Sequence, residues 1–127
     1  MSTALLAAFL GVHGLLHLAV WLPRPEPDAE HPPPFEPDHS ALLTAATVPR
    51  SAVHRVAVAL AVAAATAYVV VAVAVAVGAP WVIGLALLAA GLGLGLKVLF
   101  FHLWLSVGVL LDVCVVTAAL LEWPIAP

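Results

Sequence analysis

The chain has 127 residues, of which 65% are hydrophobic and 9% charged, with a formal net charge of −3. A soluble domain carries about 25% charged residues, so this composition excludes an ordinary water-soluble fold, and the length excludes a second, soluble domain. Five of the seven acidic residues lie between Glu26 and Asp38. The four basic residues form no cluster along a face, which excludes a nucleic-acid surface. The single cysteine, Cys114, sits in an apolar run and has no second thiol for a disulfide or a zinc site.

A bilayer core of ~30 Å takes about 20 apolar residues per helical span, and the sequence holds four such stretches. Span 1 covers about residues 3–22 and stops at Pro23. Its leading Met-Ser-Thr carries no positive side chain and its apolar run contains two histidines. It therefore reads as a retained span rather than a cleaved signal peptide. Residues 23–50 are rich in proline and polar groups. Proline fixes φ and removes a donor, so this loop favours extended, polyproline-like backbone, as a solvated tether or a docking strip for a partner. Within it, residues 40–48 suit a short interfacial helix with Ser40 as N-cap.

Span 2 covers about residues 51–77, with Ser51 placed as its N-cap. Its valine–alanine alternation near the end has the period of a strand. Both residue types are apolar, however, and a lone strand in lipid leaves its backbone groups unpaired where a helix satisfies them. The stretch is predicted helical. Gly78-Ala79-Pro80 breaks it, with Pro80 suited to the first turn of the next helix, so spans 2 and 3 form an antiparallel hairpin. The proline-free tract that follows, ~43 residues, would make a rod of about 65 Å if it stayed straight. It must fold back near Phe100–Ser106, giving span 3 at about 81–100 and span 4 at about 105–123. The predicted architecture is all-α: a single membrane domain, 1–127, built as an antiparallel four-transmembrane-helix bundle with a Pro-rich loop between helices 1 and 2.

Arg24, Arg50, Arg55 and Lys97 all fall at or near the side of the membrane that carries this loop. Positive residues flanking spans mark the cytoplasmic side. The loop is therefore expected in the cytoplasm, both termini outside, and the protein in a bacterial cytoplasmic membrane. Trp21 and Trp104 would line the inner interface, Trp81 and Trp123 the outer one.

The ionisable residues inside the spans need an explanation. His13 and His17 are four apart on one face of span 1, in a stripe with Phe9 and Trp21. At ~1.5 Å per residue, His17, Arg55, Lys97 and Asp112, each from a different span, can share one layer, with His13 deeper. Charges in lipid face the bundle interior and pair. One reading is a structural clasp, with Asp112 paired to Lys97 or Arg55 and His17 donating a hydrogen bond. A second is a proton-accessible or ligand-binding pocket, since histidine titrates near neutrality. A third is metal or haem ligation by His13, His17 and a further histidine, but one such pair does not make a ligand set. Neither a metal nor a cofactor is expected. Tyr68 directs its hydroxyl to the outer interface or to a neighbouring helix. Gly91 and Gly95 on span 3 form a GxxxG helix-packing motif, used within the bundle or between copies.

The segments GVHGLLHLAVWLP, PFEPDHSALL and KVLFFHLWLSVGVLLD, with the final WP, together resemble uncharacterised small four-span integral membrane proteins of GC-rich bacteria. That resemblance covers nearly the whole chain and implies the same four-span fold, without an active site to transfer. In architecture alone, with no shared motif, the chain is also similar to DoxX-like proteins. No nucleophile motif, P-loop or HExxH is present, so no enzymatic activity is expected. The sequence favours a structural or accessory subunit of a membrane assembly, homo-oligomeric or part of a larger complex, with the bilayer as its first partner. The alternative is a small-molecule or proton-linked carrier using His13, His17, Arg55, Lys97 and Asp112.

Overall fold

A computed structural model describes residues 2–23, 36–37 and 39–122 of the chain. It contains helices α1 (Thr3–Trp21), α2 (Ala41–Ala45), α3 (Arg50–Ala76), α4 (Val82–Leu99) and α5 (Ser106–Leu120), with a 3₁₀ turn at Leu103–Leu105 leading into α5. No strand occurs among the described residues, so the valine–alanine run is helical as expected. Four segments, α1, α3, α4 and the continuous stretch Leu103–Leu120, are long and apolar enough to cross a membrane. The expected polyproline-like conformation, Arg24, His31 and Trp123 lie outside the described residues.

Helix ends follow local chemistry. Ser2 caps α1 by accepting from the Leu5 amide, and Ser40 caps α2 by accepting from the Leu43 amide. The cap expected at Ser51 is not formed. Pro49 occupies the N-cap position of α3, and Ser51 lies in the first turn. Pro49 has φ −61° and ψ 142°, the extended cap geometry, which starts the helix without a side-chain cap. Helix α3 ends in a Schellman motif: Gly78 takes φ 65°, the Ala79 amide donates to Ala74 O, and the Gly78 amide donates to Val75 O. Pro80 then lies in the connecting turn, and α4 begins two residues later at Val82. The expectation that Pro80 opens the helix is therefore corrected. The fold-back between spans 3 and 4 falls at residues 100–105, as the length argument required.

Helix α3 is the spine. Its buried positions Ala57, Ala61, Ala64, Tyr68, Val71 and Val75 alternate steps of four and three, the spacing at which helices pack at a shallow angle. Alanine on this face lets neighbours approach closely. Helix α1 packs on α3, α3 on α4, and α4 on α5, whereas α1 and α5 barely touch. The interior divides into two apolar clusters. One gathers Leu10, Val71, Ala74, Val82, Ala86 and Val115; the other gathers Trp21, Val53, Ala57, Leu96, Phe100 and Leu105. His13 and His17 on α1 and Asp112 on α5, all buried, fall between members of the two clusters along their helices. The outside is the reverse of a soluble surface, with Leu5, Val12, Val73, Leu88, Val98 and Leu110 among many exposed large apolar side chains.

Ser40 ties the short helix to the bundle: its buried hydroxyl donates to the Leu99 carbonyl at the end of α4 while accepting from the Leu43 amide. Replacing Ser40 with Ala removes a cap and a buried hydrogen bond. Equilibrium unfolding in detergent micelles should show a loss of about 1–2 kcal/mol, whereas Thr47→Ser, at an exposed site, should leave stability within about 0.5 kcal/mol.

Candidate functional site

The polar residues predicted from four separate spans meet at one carboxylate. Asp112 on α5 is completely buried. A buried carboxylate is costly unless paired and hydrogen-bonded, and every other long helix helps to meet that cost. From α1, His13 Nε2 donates to Asp112 Oδ1 over 2.8 Å. From α3, the Tyr68 hydroxyl donates to the same oxygen over 2.6 Å. From α4, Lys97 Nζ donates to Oδ2 over 2.7 Å. The ion pair is thus Asp112–Lys97, one of the two pairings the sequence allowed.

The neighbouring bonds fix the tautomer of His17. Lys97 Nζ also donates to His17 Nε2 at 2.9 Å and reaches the Gly93 carbonyl at 3.4 Å. An ammonium has three donors and no acceptor, so His17 Nε2 is the acceptor and its proton sits on Nδ1. That Nδ1–H donates to the His13 carbonyl one turn earlier, at 3.1 Å. The hydrogen bond that His17 donates thus goes to its own helix, and it is His13 that donates to the carboxylate, with the Lys97 ammonium bonded to both His17 and Asp112. His13 Nε2 carries the proton it gives to Asp112. Nδ1 is a buried polar atom with no hydrogen-bond partner among the described residues. The rings form a stack of their own: His13 meets Tyr68 edge-on at 4.7 Å and His17 edge-on at 5.1 Å, while Phe9 stacks parallel to His13 at 6.0 Å.

Arg55 does not belong to this cluster. It is exposed on α3 and thirteen residues from Tyr68, about 20 Å along the helix axis. The depth estimate from the start of span 2 failed because α3 runs 27 residues, longer than a bilayer core requires, so its central level lies further along. Tyr68 fills the place given to Arg55. A signal existed in the sequence: this is the only tyrosine, set amid alanine and valine, and a buried phenol seeks an acceptor.

Glycines make the room. A Cβ at Gly93 would lie 2.6 Å from Asp112 Oδ2, one at Gly108 2.6 Å from Lys97 Cε, and one at Gly14 2.6 Å from Tyr68 Cβ. Each cluster member from α3, α4 and α5 therefore rests against a glycine of the adjacent helix. Gly91 and Gly95 have no such role: both are exposed, and a Cβ at either would meet nothing within 4 Å. Their expected packing inside the bundle is corrected. Gly93 shares a face with Lys97 at i, i+4, and it is this intervening glycine, not the GxxxG pair, that faces the interior.

Beside the cluster lies a cavity of about 370 Å³, walled by α1 and α5. His13, His17 and Lys97 border it at the polar end; Leu16, Val20 and Leu111 are among its apolar walls. His13, His17 and Asp112 bring ligand atoms within 4.8 Å of one another, the spacing of a metal site. However, the Lys97 ammonium already bonds His17 and Asp112. A metal ion would have to displace that cation, so the donor set as arranged does not suit one.

Gly93→Ala should destabilise the purified protein by about 1–3 kcal/mol through overpacking against the carboxylate, read by unfolding in detergent. Gly91→Ala and Gly95→Ala should cost nothing in the same assay. Comparison with known proteins gives no match: no family model fits the chain, and neither a curated protein nor a solved structure matches it.

Proposed function

We propose that this protein is a non-enzymatic, multi-pass membrane protein that binds a small lipid-soluble molecule in the cavity between α1 and α5. The observation that carries the reading is the meeting of that cavity with three buried polar side chains, His13, His17 and Lys97. Pockets that bind small molecules are mostly apolar with a few convergent polar groups, and this one has that make-up. The four long helices cross the bilayer in antiparallel order, with the apolar exterior against the acyl chains. In a bacterial cytoplasmic membrane, Arg50, Arg55 and Lys97 favour an inner side that carries the Pro-rich loop, with both termini outside.

A second reading is favoured by the convergence of three donors on Asp112. On it, the cluster only holds four helices in register and the protein is a structural subunit of a membrane assembly. The two readings differ at the cavity wall. Val20 and Leu111 border the cavity without bonding to the cluster, so Val20→Trp or Leu111→Trp fills the space and leaves the clasp intact.

Purification in mild detergent, followed by solvent extraction and mass spectrometry, tests this directly. The wild-type protein should carry a near-stoichiometric small molecule that is enriched over bulk lipid and depleted at least tenfold in the two tryptophan variants. An identical lipid profile in all three would leave the structural reading. Orientation is tested separately with Cys114→Ala as background: a cysteine at position 47 should react with an impermeant thiol reagent only from the cytoplasmic side, and one at position 79 only from outside.

A further inference from the structure

We infer that the occupant of this cavity is a single-chain amphiphile lying along the seam between α1 and α5. Its one hydrocarbon chain points inward to the polar layer, and its head group stays outside at the Trp21 and Trp104 end. This rests on the binding role proposed above and gives the guest a chemical class and a direction.

The deep end has no hydrogen bond to offer. His13, His17 and Lys97 border the cavity there, yet they are only 3%, 3% and 4% exposed. The Lys97 ammonium directs its three protons to Asp112, His17 and the Gly93 carbonyl. Both ring nitrogens of His17 are bonded, one to Lys97 and one to the His13 carbonyl. His13 Nε2 is bonded to Asp112, and its other ring nitrogen is closed off inside the protein. A polar head pushed to this end would give up water and gain no partner, a costly exchange. A terminal methyl gives up nothing there. The polar layer is therefore a floor, and the head belongs at the other end.

That other end lies where α1 stops and the fold-back begins. Trp21, the last residue of α1, and Trp104, in the 3₁₀ turn before α5, border the cavity there. Indole rings mark the level of lipid head groups, and Trp104 is exposed. From His13 to Trp21 is about 12 Å along the helix axis, close to the ~15 Å depth of one leaflet.

Size sets the number of chains. At about 30 Å³ for a water-sized group such as a methylene, the cavity of about 370 Å³ holds roughly a dozen such groups, one chain rather than two. Leu16, Val20 and Leu111 line it between the ends and give a hydrocarbon body contacts along its length. Helices α1 and α5 barely touch, since α1 rests on α3 and α5 on α4. Leu16 and Val107 are exposed along the seam, which is continuous with the apolar exterior of the bundle. A chain can thus enter sideways while its head keeps to the level of its neighbours.

Two photoreactive forms of dodecylphosphocholine test this, one with a diazirine at the far end of the chain and one with it beside the head group. Each is added at low mole fraction to wild-type protein in vesicles of phosphatidylcholine and phosphatidylglycerol. Labelling is mapped by peptide mass spectrometry, with and without excess unlabelled dodecylphosphocholine. The chain-end probe should label Leu16 and Leu111, and the head-side probe Val20 and Trp104, in both cases competably. The two-chain lipids of the vesicle are in excess throughout, so competable labelling also separates a single-chain guest from an ordinary lipid tail. Leu111→Trp fills the deep end and should lose the competable labelling by the chain-end probe. If that variant fails to fold, the order of depths on wild-type protein decides alone. Two results would overturn the chain-inward guest and leave the cavity reading standing. One is a reversed or absent order of depths. The other is no competable labelling, although the wild-type protein still carries a molecule that Val20→Trp and Leu111→Trp lose. No competable labelling together with an identical extract from all three proteins would overturn both.

Discussion

A carboxylate withdrawn from water must find its donors within the protein, and Asp112 finds one on each of the three other long helices. His13, Tyr68 and Lys97 reach it from α1, α3 and α4 over 2.8, 2.6 and 2.7 Å. The apolar packing alone is permissive: α3 offers a face of alanine and valine that would accept a neighbour at several rotations and shifts. Slippage of a helix by one residue would withdraw a donor from Asp112, and a buried charge left unmatched is among the costlier defects in a fold. The polar layer thus selects one register from many that packing tolerates. The glycines at 14, 93 and 108 belong to the same constraint, because each leaves space for a cluster residue of the helix it faces.

The same bonds give the site its chemical character. With Lys97 and Asp112 neutralising each other and His17 held between Lys97 and the backbone of its own helix, most of the polar capacity is spent internally. His13 alone keeps an unpaired atom. A site of this kind is poorly suited to grip an ion, because the Lys97 ammonium already bonds His17 and Asp112. Position reinforces this, since the cluster lies between two apolar clusters rather than at a helix end. The cavity adjoins the seam between α1 and α5, which barely touch.

Much of this was legible in the residues. Apolar length and composition alone imply four spans, and the fold-back near residues 100–105 follows from the length of a helix relative to a bilayer. His13, His17, Lys97 and Asp112 stand out because ionisable groups are so scarce in these segments, and they do come together. Depth reckoned from span ends misplaced Arg55, because the estimate assumes that each helix starts at the same level, and α3 does not. Tyr68 was harder to place: a phenol suits an interface as well as a core, and only three-dimensional packing shows which. The choice between Gly91/Gly95 and Gly93 turns on the rotation of α4 about its axis. The hydrophobic pattern there cannot report that rotation, since nearly every side chain is apolar. Hydrogen-bond direction, and with it the unpartnered Nδ1 of His13, is invisible in any sequence.

The most direct measurement is a double-variant cycle on Asp112 and Lys97, with stability read by reversible unfolding in detergent micelles. Asp112→Asn and Lys97→Met should each cost about 3–5 kcal/mol, since each leaves its partner's charge buried and unmatched. The double variant, with neither charge, should cost no more than one single change, giving a large coupling energy. Single changes of under 1 kcal/mol that simply add would contradict the account, for Asp112 would then not be the point on which the four helices depend.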